Sequence, residues 1–267
     1  MADNRSQPIN ILLSREELLL VLRLLQANAI PGIDADPLGP LTVEGEELAL
    51  QVAGRALRAR ELARIQANGS LALHNLLLTA VGVCAYARHT IFVYHWPENG
   101  ATPTRYFGHI RGEDIVAHTR PEDVLHLFSL LPDKGQLIEQ VLAVCEYEET
   151  PAAPAMSVTM ASEDFVRVRE LADEKKVDAA VSRLTGAQAD SQAAQALVGT
   201  LAHSPRVSSL QTLKQEENGR VTKHDFTILQ NNQHVWFIAP ASGEASAPLQ
   251  AQTTTRVELQ SLLAEWI

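Results

Sequence analysis

The first apolar pattern along the chain is that of an amphipathic helix. Apolar residues of Leu18–Leu25 recur at the spacing of one helix face. Ser14 and Glu17 have the spacing of a capping box, in which each side chain binds a backbone amide that the helix leaves unpaired. Because Pro31-Gly32 ends such a pattern, we predict a helix from Ser14 to shortly before Pro31.

Two more helices are predicted before residue 90. The first spans Val43–Gln66 and is followed by Asn68-Gly69, a dipeptide typical of helix C-termini. The second spans Leu71–Tyr86 and is so rich in apolar residues that we expect it to be buried.

The pattern then changes to one typical of strands. Thr90–Trp96 is rich in β-branched and aromatic residues, and Pro97–Gly100 has the composition of a turn. Thr104–Ile110 and Asp114–His118 follow as further strands. The pattern therefore predicts a three-stranded antiparallel meander.

Helices are predicted again after this meander. Thr119 and Glu122 have capping-box spacing, which predicts a helix through Leu131. Asp133–Glu149 also has helical apolar spacing, although Val141–Tyr147 fits a strand as well.

The second half of the chain repeats this order of elements. Thr150–Met156 contains two prolines and is the best candidate for a linker. Beyond it, the pattern predicts a strand (Ser157–Met160), helices from Ser162 and over Ala187–Ala202, a meander of three strands (Arg206–Gln215, Arg220–Gln230 and Gln233–Ala239) and a final helix, Thr255–Trp266.

Short matches recur between the halves at a nearly constant distance. Val81-Gly82 precedes Val198-Gly199 by 117 residues, Asn99-Gly100 precedes Asn218-Gly219 by 119, and Ile115–Ala117 precedes Val235–Phe237 by 120. A three-stranded sheet is marginally stable alone, so the two meanders are expected to share one core. We therefore predict an α+β fold with pseudo-twofold symmetry, in which residues 1–150 and 151–267 are half-repeats of one compact domain.

Composition narrows the classes of function. The 267 residues include 22 Lys and Arg against 32 Asp and Glu, and the net charge of −10 disfavours general nucleic-acid binding. No run of about 18 apolar residues is present, and the first residues are polar, unlike those of a signal peptide. Cys84 and Cys145 lie among apolar neighbours, as buried thiols do in a reducing compartment. We therefore expect a cytoplasmic protein without a membrane partner.

No pattern in the sequence indicates catalysis. The nucleophile-elbow, phosphate-loop, dinucleotide-binding and zinc-protease motifs are all absent. Both cysteines are predicted on apolar helix faces, where a reactive thiolate is disfavoured. The sequence therefore predicts a non-enzymatic protein without a cofactor.

Four histidines, His89, His95, His109 and His118, fall in or beside the first meander. Antiparallel strands can bring such residues together around a metal ion, but no acidic or cysteine ligand keeps metal spacing with them. Half-buried histidines bonded to the backbone are the favoured interpretation, and no metal site is assigned.

Four arginines, Arg55, Arg58, Arg60 and Arg64, cluster on the second predicted helix. The order of two helices and a hairpin resembles that of a winged helix, which makes a nucleic-acid-binding regulator the alternative hypothesis. The third helix, which would have to read bases, contains no Lys or Arg. A solvated helix face is therefore the favoured interpretation.

The whole series of elements resembles the EspG family, which are cytosolic chaperones of mycobacterial type VII secretion. The resemblance is carried by the opening segment Leu13–Leu18, the Pro31-Gly32 break, the Asn68-Gly69 junction, the meander Val221–Pro240 and the terminal helix Val257–Ile267. It implies a pseudo-twofold fold with a central sheet and flanking helical bundles. It also implies a protein that binds the tip of a helical secretion substrate and keeps that substrate soluble.

We therefore predict a protein that binds another, helical protein as an EspG-like chaperone or adaptor, and a homo-oligomer is compatible with the sequence. Strand faces alternate, and helices can cover one face of each meander or both; a face that helices leave open presents aromatic residues. Aromatic residues are favoured anchors of protein interfaces. The predicted partner-binding residues are Tyr94, Trp96, Tyr106 and Trp236.

Overall fold

A computed structural model describes residues 8–33, 42–98, 101–150, 154–187, 189–203, 205–242 and 247–267. The first half contains β1 (Ile9–Ser14), α1 (Arg15–Leu24), α2 (Val43–Ala59), β2 (Ala63–Ile65), β3 (Leu71–Leu73), α3 (Asn75–Ala85), β4 (His89–Trp96), β5 (Thr104–Arg111), β6 (Asp114–Glu122), β7 (Leu125–Leu131) and α4 (Lys134–Val144). The second half contains β8 (Ser157–Met160), α5 (Ser162–Asp173), α6 (Val177–Gly186), α7 (Ser191–Ala202), β9 (Arg206–Gln215), β10 (Val221–Gln230), β11 (Val235–Pro240), β12 (Leu249–Thr253) and α8 (Arg256–Trp266). The predicted α+β class is confirmed.

Ten strands of the described residues form one sheet, in the order β1-β7-β6-β5-β4-β9-β10-β11-β12-β8. Antiparallel pairing joins β1 to β7, β7 to β6, β6 to β5, β10 to β11, β11 to β12 and β12 to β8. In the first half, the predicted three-stranded meander continues into a fourth strand, β7, and β1 pairs beside it. In the second half, the meander continues into β12, and β8 pairs beside it. The strand order is thus the same in both halves, while the rotation that relates them stays a prediction.

Contacts divide the chain into two compact units. The first comprises Met1–Phe92, Tyr106–Leu137 and Leu213–Val221, and its core packs α1, α2 and α3 against β1, β6 and β7. The second comprises Val93–Arg105, Ile138–Thr212 and Thr222–Ile267, and its core packs α5, α6 and α7 against β8, β10, β11 and β12. The assignment of residues 1–150 and 151–267 as half-repeats of one domain stays a prediction.

The capping box predicted for α1 forms as expected. Ser14 Oγ accepts a hydrogen bond from Glu17 N at 3.2 Å, and Glu17 Oε2 accepts one from Ser14 N at 2.8 Å. Thr255 and Glu258 make the equivalent pair of bonds at the start of α8. Because these bonds satisfy amides that helix termini leave unpaired, local sequence determines where both helices begin.

The helix predicted from Thr119 to Leu131 is wrong. β6 continues through Glu122, and the chain returns as β7, in which His126 and Phe128 are buried and alternate with half-buried residues. β7 pairs with β1 on one side and with β6 on the other. Hydrogen bonding along both edges of this strand outweighs the capping signal, because tertiary context overrides local helix preference.

The second predicted helix is also shorter than expected, because α2 ends at Ala59. Glu61 adopts a left-handed backbone with φ of 59°. A hairpin of β2 and β3 follows, and Gly69 supplies the positive φ of 81° in its turn. The segment up to Gln66 therefore leaves the helix and pairs with the start of the predicted third helix.

Other predicted boundaries shift by smaller amounts. The third helix begins at Asn75. The alanine-rich helix begins at Ser191, because Asp190 Oδ1 accepts hydrogen bonds from the amides of Gln192 and Ala193 in its first turn. The predicted turn at Asn99-Gly100 and part of the predicted linker Thr150–Met156 lie outside the described residues.

A candidate protein-binding groove

Two aromatic side chains of β4 mark a candidate site in the second unit. Tyr94 and Trp96 flank the buried His95 along the strand, so they lie on the same side of it. Their rings stack with 6.4 Å between centroids and 27° between planes, and both residues are half-buried. Both rings are therefore partly accessible to solvent, as expected of the predicted partner-binding residues.

Trp96 lines a groove with a volume of about 600 Å³. The other lining residues come from β9, β10, α5 and α7 and from the turns beside them. They are Glu98, Ala101, Phe165, Arg169, Asp173, Lys175, Leu201, Ala202, Pro205, Val207, Ser209, Thr227 and Leu229.

The lining of this groove includes a large apolar part. Val207 and Leu229 come from the neighbouring strands β9 and β10, and Phe165 and Leu201 come from α5 and α7. Covering such a surface with an apolar partner side chain is favourable by about 25 cal/mol per Å². The groove therefore offers anchoring positions beside the ring of Trp96.

Charged side chains also line the groove. Glu98, Arg169 and Asp173 are exposed, and within the described chain none of them forms an ion pair. Lys175 differs, because its Nζ donates a hydrogen bond to the carbonyl oxygen of Ala202 and so ties the turn after α5 to the end of α7. An apolar centre with a polar edge is the usual composition of a protein interface.

Two of the predicted surface residues are buried, and their exposure was predicted wrongly. Trp236 is 0% exposed, belongs to the core formed with α5–α7, and donates from Nε1 to Thr200 Oγ1 at 3.2 Å. On the opposite face of β11, Phe237 packs on Phe226. Tyr106 is 3% exposed, and burial raises the pKa of its hydroxyl above the ordinary value. Both faces of these strands are covered, so neither residue is an anchor in this fold.

Most residues that line the groove were not predicted from the sequence. Val207 and Ser209 line it, whereas Ser208 and Leu210 point to the buried side of β9. Each side of this strand therefore mixes apolar and polar residues, and hydropathy alone does not identify the accessible one. Phe165, Arg169 and Asp173 follow one another at intervals of four residues on α5, a spacing that would have placed them on a common face.

A polar cluster lies on the buried side of β4 and β9. His95 Nδ1 and Ser208 Oγ are 2.9 Å apart, and His95 Nε2 lies 3.7 Å from Glu146 Oε2. Burial lowers the pKa of His95, while the carboxylate of Glu146 opposes this shift. The order Ser–His–Glu resembles that of a catalytic triad, but Ser208 is 2% and His95 1% exposed. With no access for a substrate, the cluster joins the end of α4 to the sheet.

The other three histidines considered for a metal site, His89, His109 and His118, lie in the first unit. His118 Nε2 and His126 Nδ1 lie 3.1 Å apart, and His118 stacks on Phe128 with 4.7 Å between ring centroids. His109 is buried beside them, while His89 is half-buried. In the described part of the chain, no group of three or more His, Cys, Asp or Glu residues is arranged to hold a metal ion.

Both cysteines are free and buried, as predicted. Burial raises the pKa of Cys84 well above its ordinary value. Burial also raises the pKa of Cys145 to about 12, although a hydrogen bond with Ser208 opposes the shift. Neither thiol is a ready nucleophile near neutral pH, because the thiolate is the reactive form.

The four arginines proposed for nucleic-acid binding occupy different environments. Arg55 and Arg58 are exposed on α2, and Arg64 lies in β2. Arg60 binds Glu17 Oε1 through Nη2 at 2.7 Å, and its Nη1 donates to the carbonyl oxygen of Leu12 at 2.8 Å. A hairpin of β2 and β3 separates α2 from α3, and the strands that follow α3, β4 and β5, belong to the ten-stranded sheet.

A family model described as "Uncharacterised protein YfjC" matches residues 38–263. The chain belongs to the YfjC family. A search among curated proteins finds no significant match.

The fold of this YfjC-family chain is similar to that of EspG5, a type VII secretion system chaperone of Mycobacterium tuberculosis solved in complex with a PE25–PPE41 dimer. The similarity covers 97% of this chain and 95% of that chain, with a TM-score of 0.68 and 12% sequence identity. The resemblance to the EspG fold is thereby confirmed. Within the described residues, no helix is both long and apolar enough to cross a membrane.

Proposed function

We propose that this YfjC-family chain is a non-enzymatic chaperone or adaptor that binds another protein through the groove around Trp96. The groove itself carries the proposal, because it combines apolar residues and exposed charges with the ring of Trp96, which stacks on Tyr94. Aromatic residues beside an apolar centre are favoured where proteins bind one another.

The fold supports a protein partner in particular. The similar chaperone EspG5 was solved with a PE25–PPE41 dimer, and the EspG resemblance of the sequence implies a helical substrate. A groove of about 600 Å³ has room for a few side chains. The partner is therefore proposed to insert apolar side chains of a helix into the groove, since helices commonly bind grooves through apolar side chains. Two free, buried cysteines fit a cytoplasmic location.

A photo-crosslinking experiment tests this proposal. Benzoylphenylalanine at Thr227, inside the groove, is expected to capture the partner in the native cell on illumination. The captured protein is then purified, and its affinity for the unmodified chain is measured by calorimetry. Trp96→Ala is expected to weaken binding at least about tenfold, because it removes an aromatic anchor. Val207→Asp is expected to weaken it further by placing a charge among apolar groups.

Val52→Asp is the matched control. This valine is 49% exposed on α2 of the first unit, so the variant adds the same charge to another apolar surface. It is expected to leave partner binding unchanged. Thermal unfolding of every variant verifies that the fold is kept. An affinity that neither Trp96→Ala nor Val207→Asp lowers, or an adduct formed only with a second copy of the chain, would contradict the proposal.

A further inference from the structure

A second cavity, in the first unit, is lined by two arginines. Arg88 lies between α3 and β4, Arg111 ends β5, and both line a cavity of about 490 Å³. Tyr86, Gly112 and Gln215 line it as well. The cavity shares no residue with the groove around Trp96 and has a different chemistry.

The backbone of Arg88 is held from two sides. Its amide nitrogen donates to the carbonyl oxygen of Ile110 at 3.0 Å, and the amide of Gln215 donates to the carbonyl oxygen of Arg88 at 2.7 Å. These bonds join the arginine to the ends of β5 and β9. The base of its side chain is therefore fixed beside the cavity before any ligand arrives.

The guanidinium of Arg111 is held by an aromatic ring. Its central carbon lies 5.4 Å from the centroid of the Tyr86 ring, within the range of a cation–π interaction. The Tyr86 hydroxyl donates to the carbonyl oxygen of Leu25 at 2.6 Å, which fixes the ring in turn. This arrangement orients the guanidinium and leaves its positive charge intact.

Both charged residues in the lining of the cavity are arginines. Neither forms an ion pair with any described residue, although Asp114 stands opposite Arg111 in the register of the β5–β6 hairpin. The chain as a whole carries a net charge of −10, so a cavity whose charged lining residues are both positive differs from the average of the chain. Guanidinium groups match the oxygens of carboxylates and phosphates, which they bind through two parallel hydrogen bonds.

We propose that this cavity binds a dianionic phosphate group, supplied either as inorganic phosphate or by a phosphoester. Two guanidinium charges match the charge of about −2 on a phosphate near neutral pH. The side-chain amide of Gln215 offers two more donors. A carboxylate, with one negative charge, gains about half of the Coulomb attraction at the same distance.

Calorimetric titration of the full chain with inorganic phosphate at low ionic strength tests the site. Arg88→Gln and Arg111→Gln are each expected to weaken binding at least about tenfold, because each removes a charged donor. Arg58→Gln is the matched control, since it removes the same charge from an exposed position on α2 outside the cavity. Acetate is expected to bind at least about tenfold more weakly than phosphate.

A pentapeptide with a central phosphoserine, alongside its unphosphorylated form, separates the two sources of the phosphate group. Tighter binding of the phosphopeptide than of inorganic phosphate assigns the cavity to phosphoesters, and the reverse assigns it to the free ion. The proposal is overturned if neither probe binds, or if Arg88→Gln and Arg111→Gln bind phosphate as Arg58→Gln does. Melting temperatures of the three variants verify that all are folded.

Discussion

The environment of a buried histidine changes the pKa of its side chain. Burial lowers the pKa of His109 to about 3 and that of His118 well below its ordinary value, and nearby His109, His126 and Arg120 lower the pKa of His118 further. These side chains stay neutral near neutral pH. In the sequence, a histidine in a strand suggests a titrating group or a ligand, whereas here it packs against aromatic rings.

The free energy of unfolding is expected to fall as the pH decreases from about 6.5 to about 3. Unfolded histidines titrate near pH 6.5, whereas folded His109 remains neutral down to about pH 3. The unfolded state therefore binds more protons in this window, and stability decreases by up to about 1.4 kcal/mol per pH unit for each such histidine. Urea unfolding at a series of pH values measures the slope.

His109→Asn is expected to reduce this slope by about one proton. His203→Asn, which removes an exposed histidine after α7, is the control. Equal slopes for all three proteins would show that burial of His109 does not produce the effect.

At the scale of elements, close packing decides which residues a strand tolerates. A Cβ atom at Gly108 of β5 would lie 2.7 Å from Ile91 Cγ2 on β4 and 2.7 Å from Leu137 Cδ1 on α4. The absence of a side chain therefore lets β5 approach both elements. Gly82 of α3 is different, because a Cβ there would meet nothing within 4 Å.

Gly108→Ala is expected to lower the free energy of unfolding by roughly 1–3 kcal/mol, because Ile91 and Leu137 would have to move. Gly82→Ala serves as the control. It is expected to be neutral or stabilising by up to about 1 kcal/mol, since alanine is the better helix former. Urea unfolding of the two variants measures both effects, and a Gly108→Ala variant as stable as Gly82→Ala would contradict this account of the packing.

At the scale of the whole molecule, the repeated strand order is the main feature. Each half contributes four strands in sequence order and then its first strand, and in each half three helices precede these four strands and one follows. The offsets of 117 to 120 residues in the sequence agree with this correspondence. The agreement supports duplication, because unrelated segments rarely share both spacing and strand order.

A superposition in an experimental structure tests the predicted duplication. The strands β4–β7 and β1 are expected to superpose on β9–β12 and β8 through a rotation close to twofold, with Val116 near Trp236 in register. A rotation far from twofold, or strands that superpose only after a change of order, would contradict the repeat.

The groove shows why the site was only partly predictable. Strand alternation placed Tyr94 and Trp96 on one side of β4, and both are partly accessible as expected. The exposure predicted for Trp236 was wrong for a related reason. The alternation of side chains along a strand indicates which residues share a side, but it does not indicate whether helices cover that side. Phe165 and Val207 are brought to the groove by segments far apart in the sequence.

The sequence by itself determined features that depend on neighbouring residues. These include the capped start of α1 at Ser14, the β-branched strand at Thr90–Trp96, the buried thiols and the acidic charge balance. Only the tertiary structure decided that Leu125–Leu131 is a strand and that Trp236 lies in the core. The physical reason is that strand pairing and burial depend on contacts between distant segments, whose free energy outweighs local preference once the chain is folded.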